Sequence, residues 1–249
     1  MNNMPIHSPL FNPELTYGSD DCESVSVLLE VDHAAVRGFL EPTPFEFVSP
    51  HVWIEVVVLR SAFGVGPFAS GGVIVPCSYE DTVGGFYAFC YIDTDDGLAL
   101  GREPFGYPKK YADVRLQRTG RAVTAAIYRG DARIEMSVVL GEGAQSIPRV
   151  PRYPHLLLQV FPSAESSEVL LKRVIARDTG ATSSMVATGG EAAVVVAAGP
   201  KGNELSWLGR ANPVSGSYAR GSFRSALGKV LGIIQVGREL RDRHAFGHV

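Results

Sequence analysis

The sequence predicts a mainly β fold of the α+β class. It is expected to be one domain over residues 1–249, built as a closed or highly curved antiparallel sheet with few short helices. Three observations predict this. Ten short runs are rich in Val, Ile, Tyr and Phe, as strands are. The 249 residues include 27 glycines and 16 prolines, a turn content that suits many short strands. Helix signals are few, and no segment of roughly 20–50 residues repeats.

The first strand is read at 25–31. A short helix at 32–40 follows, with Asp32 as its N-cap. Strands at 52–60, 72–77 and 86–92 come next, and those at 114–118, 121–128 and 133–140 lie beyond a Gly/Pro-rich stretch. Between the last two, Gly130-Asp131 is a short turn that closes a hairpin. The Pro-containing stretch 147–154 links this set to strands at 155–161, 168–177 and 191–198. The tail from 222 to about 243 mixes glycines with Leu227, Val230, Leu231, Ile234 and Val236 and is expected to be helical.

Composition excludes several function classes. With 23 basic and 26 acidic residues, the chain has no basic field for a phosphate backbone, so nucleic acid is not an expected partner. No apolar run approaches the ~20 residues of a membrane helix, so no membrane partner is expected. The first basic residue is Arg37, which speaks against a basic signal peptide or an Arg-rich transit peptide. Cys22, Cys77 and Cys90 are widely spaced and form no C-x-x-C, which points to a reducing cytoplasm. His244 and His248 fall in the tail, and no zinc or iron spacing occurs, so neither a metal nor a cofactor is expected. Gly64, Gly66, Gly71 and Gly72 lack both G-x-G-x-x-G and a P-loop lysine and read as turn residues. Asp93, Asp95 and Asp96 read as an acidic turn, because Gly97 comes too early for a calcium loop.

Only five residues are lysine (109, 110, 172, 201 and 229) and two of them are neighbours. Lys109 and Lys110 follow Phe105, Tyr107 and Pro108. Pro108 fixes its own φ and pushes Tyr107 toward extended backbone. In an extended chain successive side chains point to opposite faces, so one lysine faces inward and the other outward. Burial lowers the pKa of an amine and exposes its lone pair. A neutral lysine attacks a ketone to give an iminium ion, an electron sink for a carbanion on the adjacent carbon. Arginine cannot do this, since it does not lose its proton.

Gly101-Arg102-Glu103, followed by Gly106-Tyr107-Pro108-Lys109-Lys110, resembles the active-site signature of the acetoacetate decarboxylase family, itself a standard example of an activated lysine. Glu41-Pro42, the run Ser70-Gly71-Gly72-Val73-Ile74-Val75-Pro76, and Tyr91-Ile92-Asp93 extend the resemblance. It implies a cone-like antiparallel β-barrel and a homo-oligomer. Lys109 would be the Schiff-base nucleophile, with Lys110 as the neighbouring cation that lowers its pKa. It also implies a pocket glutamate at Glu55, which alternation places on one face with Trp53, Val57 and Leu59. A carboxylate on such a face needs either a partner or a proton. The family's second glutamate falls on Ser70 or Ala69, and its arginine before the first strand has no counterpart here.

These readings combine into a cofactor-independent Schiff-base lyase acting on a small oxo acid. Lys109 forms the iminium, Glu55 moves protons, and Tyr107 or Ser70 holds a substrate oxygen. Tyr91, Arg102 and Glu103 are further candidates for binding substrate, although Arg102 and Glu103 could instead pair with each other and Tyr91 could simply pack. The two missing charged groups rank aldolase–dehydratase chemistry, pyruvate-like acid plus aldehyde, above decarboxylation of acetoacetate or another β-keto acid. A β-barrel that holds an apolar ligand without chemistry is the alternative of a different class.

Overall fold

The computed structural model describes residues 7, 17–141, 149–180, 183–199, 203–208, 211–224 and 227–237. Strand β1 (Gly18–Glu30) leads into helix α1 (His33–Leu40), the short β2 (Glu46–Phe47), and the long hairpin-linked β3 (His51–Phe63), β4 (Phe68–Tyr79) and β5 (Thr82–Ile92). Helix α2 (Asp95–Phe105) and β6 (Lys109–Tyr111) follow. A second set, β7 (Asp113–Thr119), β8 (Ala122–Arg129) and β9 (Ala132–Leu140), is a meander. Then come β10 (His155–Pro162), β11 (Val169–Arg177), β12 (Ser183–Ala197), β13 (Asn212–Arg224) and β14 (Lys229–Val236).

All ten strands expected from the sequence form. The expected helix also forms, with Asp32 Oδ1 accepting from the Ala35 amide at 2.9 Å. Gly130 takes the positive φ, +61°, that the β8–β9 turn requires.

The strands form one large curved sheet in the order β14-β11-β10-β5-β4-β3-β1-β13-β12-β9-β8-β7, with β2 on β4 and β6 on β5. Two expectations are corrected. The sheet does not close into a barrel: among the described residues its end strands, β14 and β7, are not paired with each other. Nor is it wholly antiparallel, since β6 and β10 both run parallel to β5, sharing its outer edge end to end. A parallel neighbour needs a crossover, and α2 supplies it between β5 and β6. The sequence reading missed this helix because Gly97, Gly101 and Pro104 depress its propensity. Packing selects it instead, through the buried face of Gly97, Gly101 and Phe105.

The expected C-terminal helix is also corrected. The described part of that segment is the end of β13 and then β14, which pairs antiparallel with β11. Val230, Ile233, Ile234 and Val236 favour strand. Gly232 lets the chain pass the Tyr79 hydroxyl, which a Cβ would meet at 2.2 Å.

The sheet folds over on itself, and alternation divides its side chains between two cores. Val25, Val27, Ile54, Val56, Val73, Ile127, Ile134 and Val138 belong to the larger one. The opposite face of the same strands carries Leu28, Trp53, Ile74, Tyr87 and Cys90, joined by Phe105, Tyr107, Leu157 and Ile175. The second face walls the cavity described next. No described helix is long and apolar enough to cross a membrane.

Candidate active site

A cavity of about 370 Å³ opens on this second face. Strand register builds its floor. Lys109 pairs with Cys90, Cys90 with Gly72, Gly72 with Glu55, and Glu55 with Ser26, one row across β6, β5, β4, β3 and β1. Gly72 is the gap in that row: a Cβ there would meet the Phe89 carbonyl oxygen at 2.0 Å and the Tyr87 ring at 2.5 Å. The register of β5 shifts between Val73 and Ile74. That bulge puts Tyr87 on the same face as Cys90, three residues away, where simple alternation would not.

Lys109 enters the cavity beside α2. Its Nζ donates to the Gly97 carbonyl at 2.8 Å and lies 5.4 Å from the Phe68 ring centre and 5.8 Å from that of Tyr107. The stem runs along Gly101, where a Cβ would stand 2.4 Å from Cε. Gly101 thus opens the groove that the lysine occupies, whereas Gly97, one turn earlier, makes room for Ile92, whose Cδ1 a Cβ would meet at 2.5 Å. Burial lowers the Lys109 pKa to about 8; Cys90 opposes the shift, and the Arg177 guanidinium adds to it.

Glu55 is buried at 4% exposure. It accepts from the Tyr87 hydroxyl at 3.2 Å and forms an ion pair with Arg152 Nη1 at 3.4 Å. Arg152 also donates to Ser26 Oγ at 2.8 Å and stacks over Trp53 and Tyr153. A second polar group centres on Tyr107. Arg177 Nη1 donates to the Tyr107 hydroxyl at 3.3 Å, and that hydroxyl lies 2.8 Å from His155 Nδ1. Burial, then the Arg152 and Arg177 charges, push the His155 pKa well down and keep it neutral. Burial likewise raises the Tyr107 pKa and keeps that phenol protonated.

Residues 3–232 match the family described as acetoacetate decarboxylase. The chain belongs to this family. It is 29% identical over 168 residues to the acetoacetate decarboxylase of Ralstonia nicotianae, covering 65% of this chain and 66% of that one. With the Clostridium acetobutylicum acetoacetate decarboxylase it shares 24% over 186 residues, 72% of this chain and 74% of that one. The aligned part thus spans about two thirds to three quarters of these two relatives. Among solved structures, an acetoacetate decarboxylase superposes with a TM-score of 0.81 at 20% identity, covering 94% of this chain and 96% of the other. An acetoacetate decarboxylase-like enzyme of Sphingomonas wittichii RW1 gives 0.82 at 15%, covering 94% and 99%. The enduracididine biosynthesis enzyme MppR, solved with pyruvate, gives 0.77 at 17%, covering 92% and 94%. At these identities the structures establish a shared fold.

In this acetoacetate decarboxylase family member, Lys109, Glu55, Tyr107 and Ser70 line one cavity, whereas Tyr91, Arg102, Glu103 and Lys110 are not among its lining residues. The reasons are geometric. Tyr91 is next to Cys90 and so packs into the larger core. Arg102 and Glu103 lie on the exposed side of α2, where Arg102 Nη1 donates to the Lys109 carbonyl at 3.0 Å. Lys110 points to the opposite face of β6 from Lys109. The neighbouring cation that lowers the Lys109 pKa is Arg177, in the place expected for Lys110. Ser70 reaches the cavity, but its hydroxyl donates to the Tyr91 carbonyl at 2.9 Å.

Sequence reasoning missed Tyr87, Arg152, Tyr153, His155 and Arg177. Arg152 and Arg177 place two cations in the cavity from the β9–β10 connection and the end of β11, far from the N-terminal position that the family resemblance had suggested. The absence of basic residues before Arg37 therefore did not mean a cavity short of positive charge.

Proposed function

We propose that the protein is a Schiff-base lyase of the aldolase–dehydratase type, with a pyruvate-like 2-oxo acid as its carbonyl substrate. The observation that carries this reading is the Lys109 amine, its pKa lowered to about 8, in one cavity with Arg177, Arg152 and Glu55. At neutral pH such an amine is neutral in roughly a tenth of molecules, against well under a thousandth for a free lysine. It attacks the ketone, water leaves, and the iminium draws electrons from the adjacent carbon. Loss of a proton there gives an enamine, which adds to an aldehyde. Loss of water from the adduct and hydrolysis of the iminium then release the unsaturated oxo acid and the free amine.

The charges favour this reaction over decarboxylation. A guanidinium that binds a carboxylate stabilises it before reaction, which raises the barrier to losing it as carbon dioxide. Cations in the cavity suit a carboxylate that survives the reaction. Glu55, held by Tyr87 and Arg152, is the carboxylate in reach of the cavity to take and return the proton. The named relatives are decarboxylases and support the second reading, loss of carbon dioxide from a β-keto acid through the same iminium.

Borohydride trapping tests the proposal. Pyruvate plus borohydride should leave a reduced adduct on the peptide carrying Lys109, and Lys109→Arg should leave none. A folded protein that traps neither pyruvate nor acetoacetate would be a binding module. Rapid carbon dioxide release from acetoacetate, with no condensation of pyruvate and an aldehyde, would favour the decarboxylase.

A further inference from the structure

The cavity is far larger than a pyruvate needs, and its walls are divided by chemistry. Its charged lining residues are Glu55, Lys109, Arg152 and Arg177, and three of them join the polar groups around Tyr87, Tyr107 and His155. Away from that end, the walls turn apolar by strand register. On β3 the residues after Glu55 on the same face are Val57 and Leu59. Leu59 pairs with Phe68 on β4 and with Cys22 on β1, and Val57 pairs with Ser24. Ser24 in turn pairs with Ala219 on β13, Ala219 with Ala187 on β12, and Met185 and Phe223 lie beside them along those strands. Five adjacent strands therefore present one uncharged platform, and all these side chains line the cavity. From Glu55 to Leu59 it extends roughly 13 Å along β3, at about 3.3 Å per residue.

Lys109 stands at the junction. Its Nζ lies between Tyr107 of the polar end and Phe68 of the platform. A substrate carboxylate at Arg177 and a carbonyl carbon at Lys109 leave the rest of the reacting molecules over the platform.

We propose that this platform is a specificity subsite for an uncharged apolar substituent, an alkyl or aryl group, carried by the carbon partner that joins the Lys109-bound oxo acid. The assignment to that partner rests on the lyase reading above; the platform's affinity for an apolar chain does not. Val57, Leu59, Phe68, Met185, Ala219 and Phe223 set the length and width it accepts.

Binding of straight-chain monocarboxylates to the full chain tests this without needing any Schiff base. Calorimetry from butanoate to octanoate should show affinity rising with every added methylene, up to about fourfold each. Ala219→Phe should flatten the series by filling the platform. Ala187→Phe, at an exposed position on the next strand, is the second variant should the first fail to fold. Affinity that stops rising beyond butanoate, or a folded variant that keeps the full length dependence, overturns the proposal. The two readings fail separately. A rising series with no borohydride adduct leaves the subsite and removes the lyase, whereas an adduct with a flat series does the reverse. With an adduct in hand, kcat/KM for aldehydes of increasing chain length should rise in parallel. A rise confined to 2-oxo acids of increasing length would move the substituent onto the oxo acid and overturn its assignment to the partner.

Discussion

A methyl group on Gly101 would stand 2.4 Å from Cε of Lys109 and 2.9 Å from its Nζ. The helix that delivers the crossover between β5 and β6 therefore also shapes the groove for the amine. Gly101→Ala separates these roles. Alanine is the better helix former by about 1 kcal/mol, so the fold should tolerate the change. The lysine stem is flexible and must yield. The expected outcome is a melting temperature at or near the wild-type value, with the rate of borohydride-trapped adduct formation down at least about tenfold, since about 1.4 kcal/mol of misplacement suffices for that. Unchanged trapping would show that the groove does not position the amine.

The lowered pKa of Lys109 gives a pH profile with a defined sign. The nucleophile is the deprotonated amine. Its fraction rises with pH, reaches half near pH 8, and falls about tenfold per unit below that. Initial rates of adduct formation at low pyruvate concentration should follow this curve and level off above pH 9. Amine labelling mapped to Lys109 should give the same midpoint. A midpoint near 10.5, the value of an ordinary lysine, would remove the activated nucleophile.

The same shift is a stability statement. The folded amine has a lower pKa than the unfolded one, so between about pH 8 and 10.5 the unfolded chain holds a proton that the folded chain lacks. Stability therefore rises with pH across that window, and the cost of the buried amine is fully present below it. At pH 7 that cost is about 3 kcal/mol by order of magnitude. Lys109→Met, similar in volume and uncharged, should raise the denaturant midpoint at pH 7 and lose most of its advantage above pH 10.5. An equal effect at both pH values would mean that packing, not charge, explains it.

The parts legible in the sequence were those that local pattern determines. Alternating Val, Ile, Tyr and Phe gave the strands, and Asp32 gave the start of α1. Pro108 and the extended backbone after it put Lys109 and Lys110 on opposite faces, which agrees with the β6 pairing found, Lys109 beside Cys90 and Lys110 beside Tyr91. What could not be read arises between distant segments. The Tyr87 bulge depends on β4, the row from Lys109 to Glu55 on three strand pairings, and the cations on the paths of β10 and β11. One signal was available for α2: Gly97 and Gly101 four residues apart, with Asp95 and Asp96 placed to complement a helix N-terminus. Gly228, just before β14, and Gly232 within it show the same spacing, so glycine spacing alone does not distinguish helix from strand.

Glu55 and Arg152 should behave as a coupled pair. The Glu55 side chain is 6% exposed and that of Arg152 27% exposed, so removing either partner leaves the charge of the other uncompensated. Breaking a buried pair costs several kcal/mol, and the partial exposure of Arg152 reduces this to about 2 kcal/mol for Glu55→Gln, which keeps a hydrogen-bond acceptor for Tyr87. Arg152→Met leaves the more deeply buried carboxylate uncompensated and should cost about 3 kcal/mol. With both changes the stranded charge is gone, so the double variant should be more stable than the sum of the two losses by more than about 1 kcal/mol. Urea denaturation of the four proteins measures this directly. Losses that add within about 0.5 kcal/mol would mean the pair is not coupled. The activity readout differs. If Glu55 moves the proton, Glu55→Gln should still trap pyruvate on Lys109 but lose about 10²-fold or more in enamine-dependent exchange of the pyruvate methyl protons, a step that needs a base. Full exchange in Glu55→Gln would leave Glu55 with the ion pair alone.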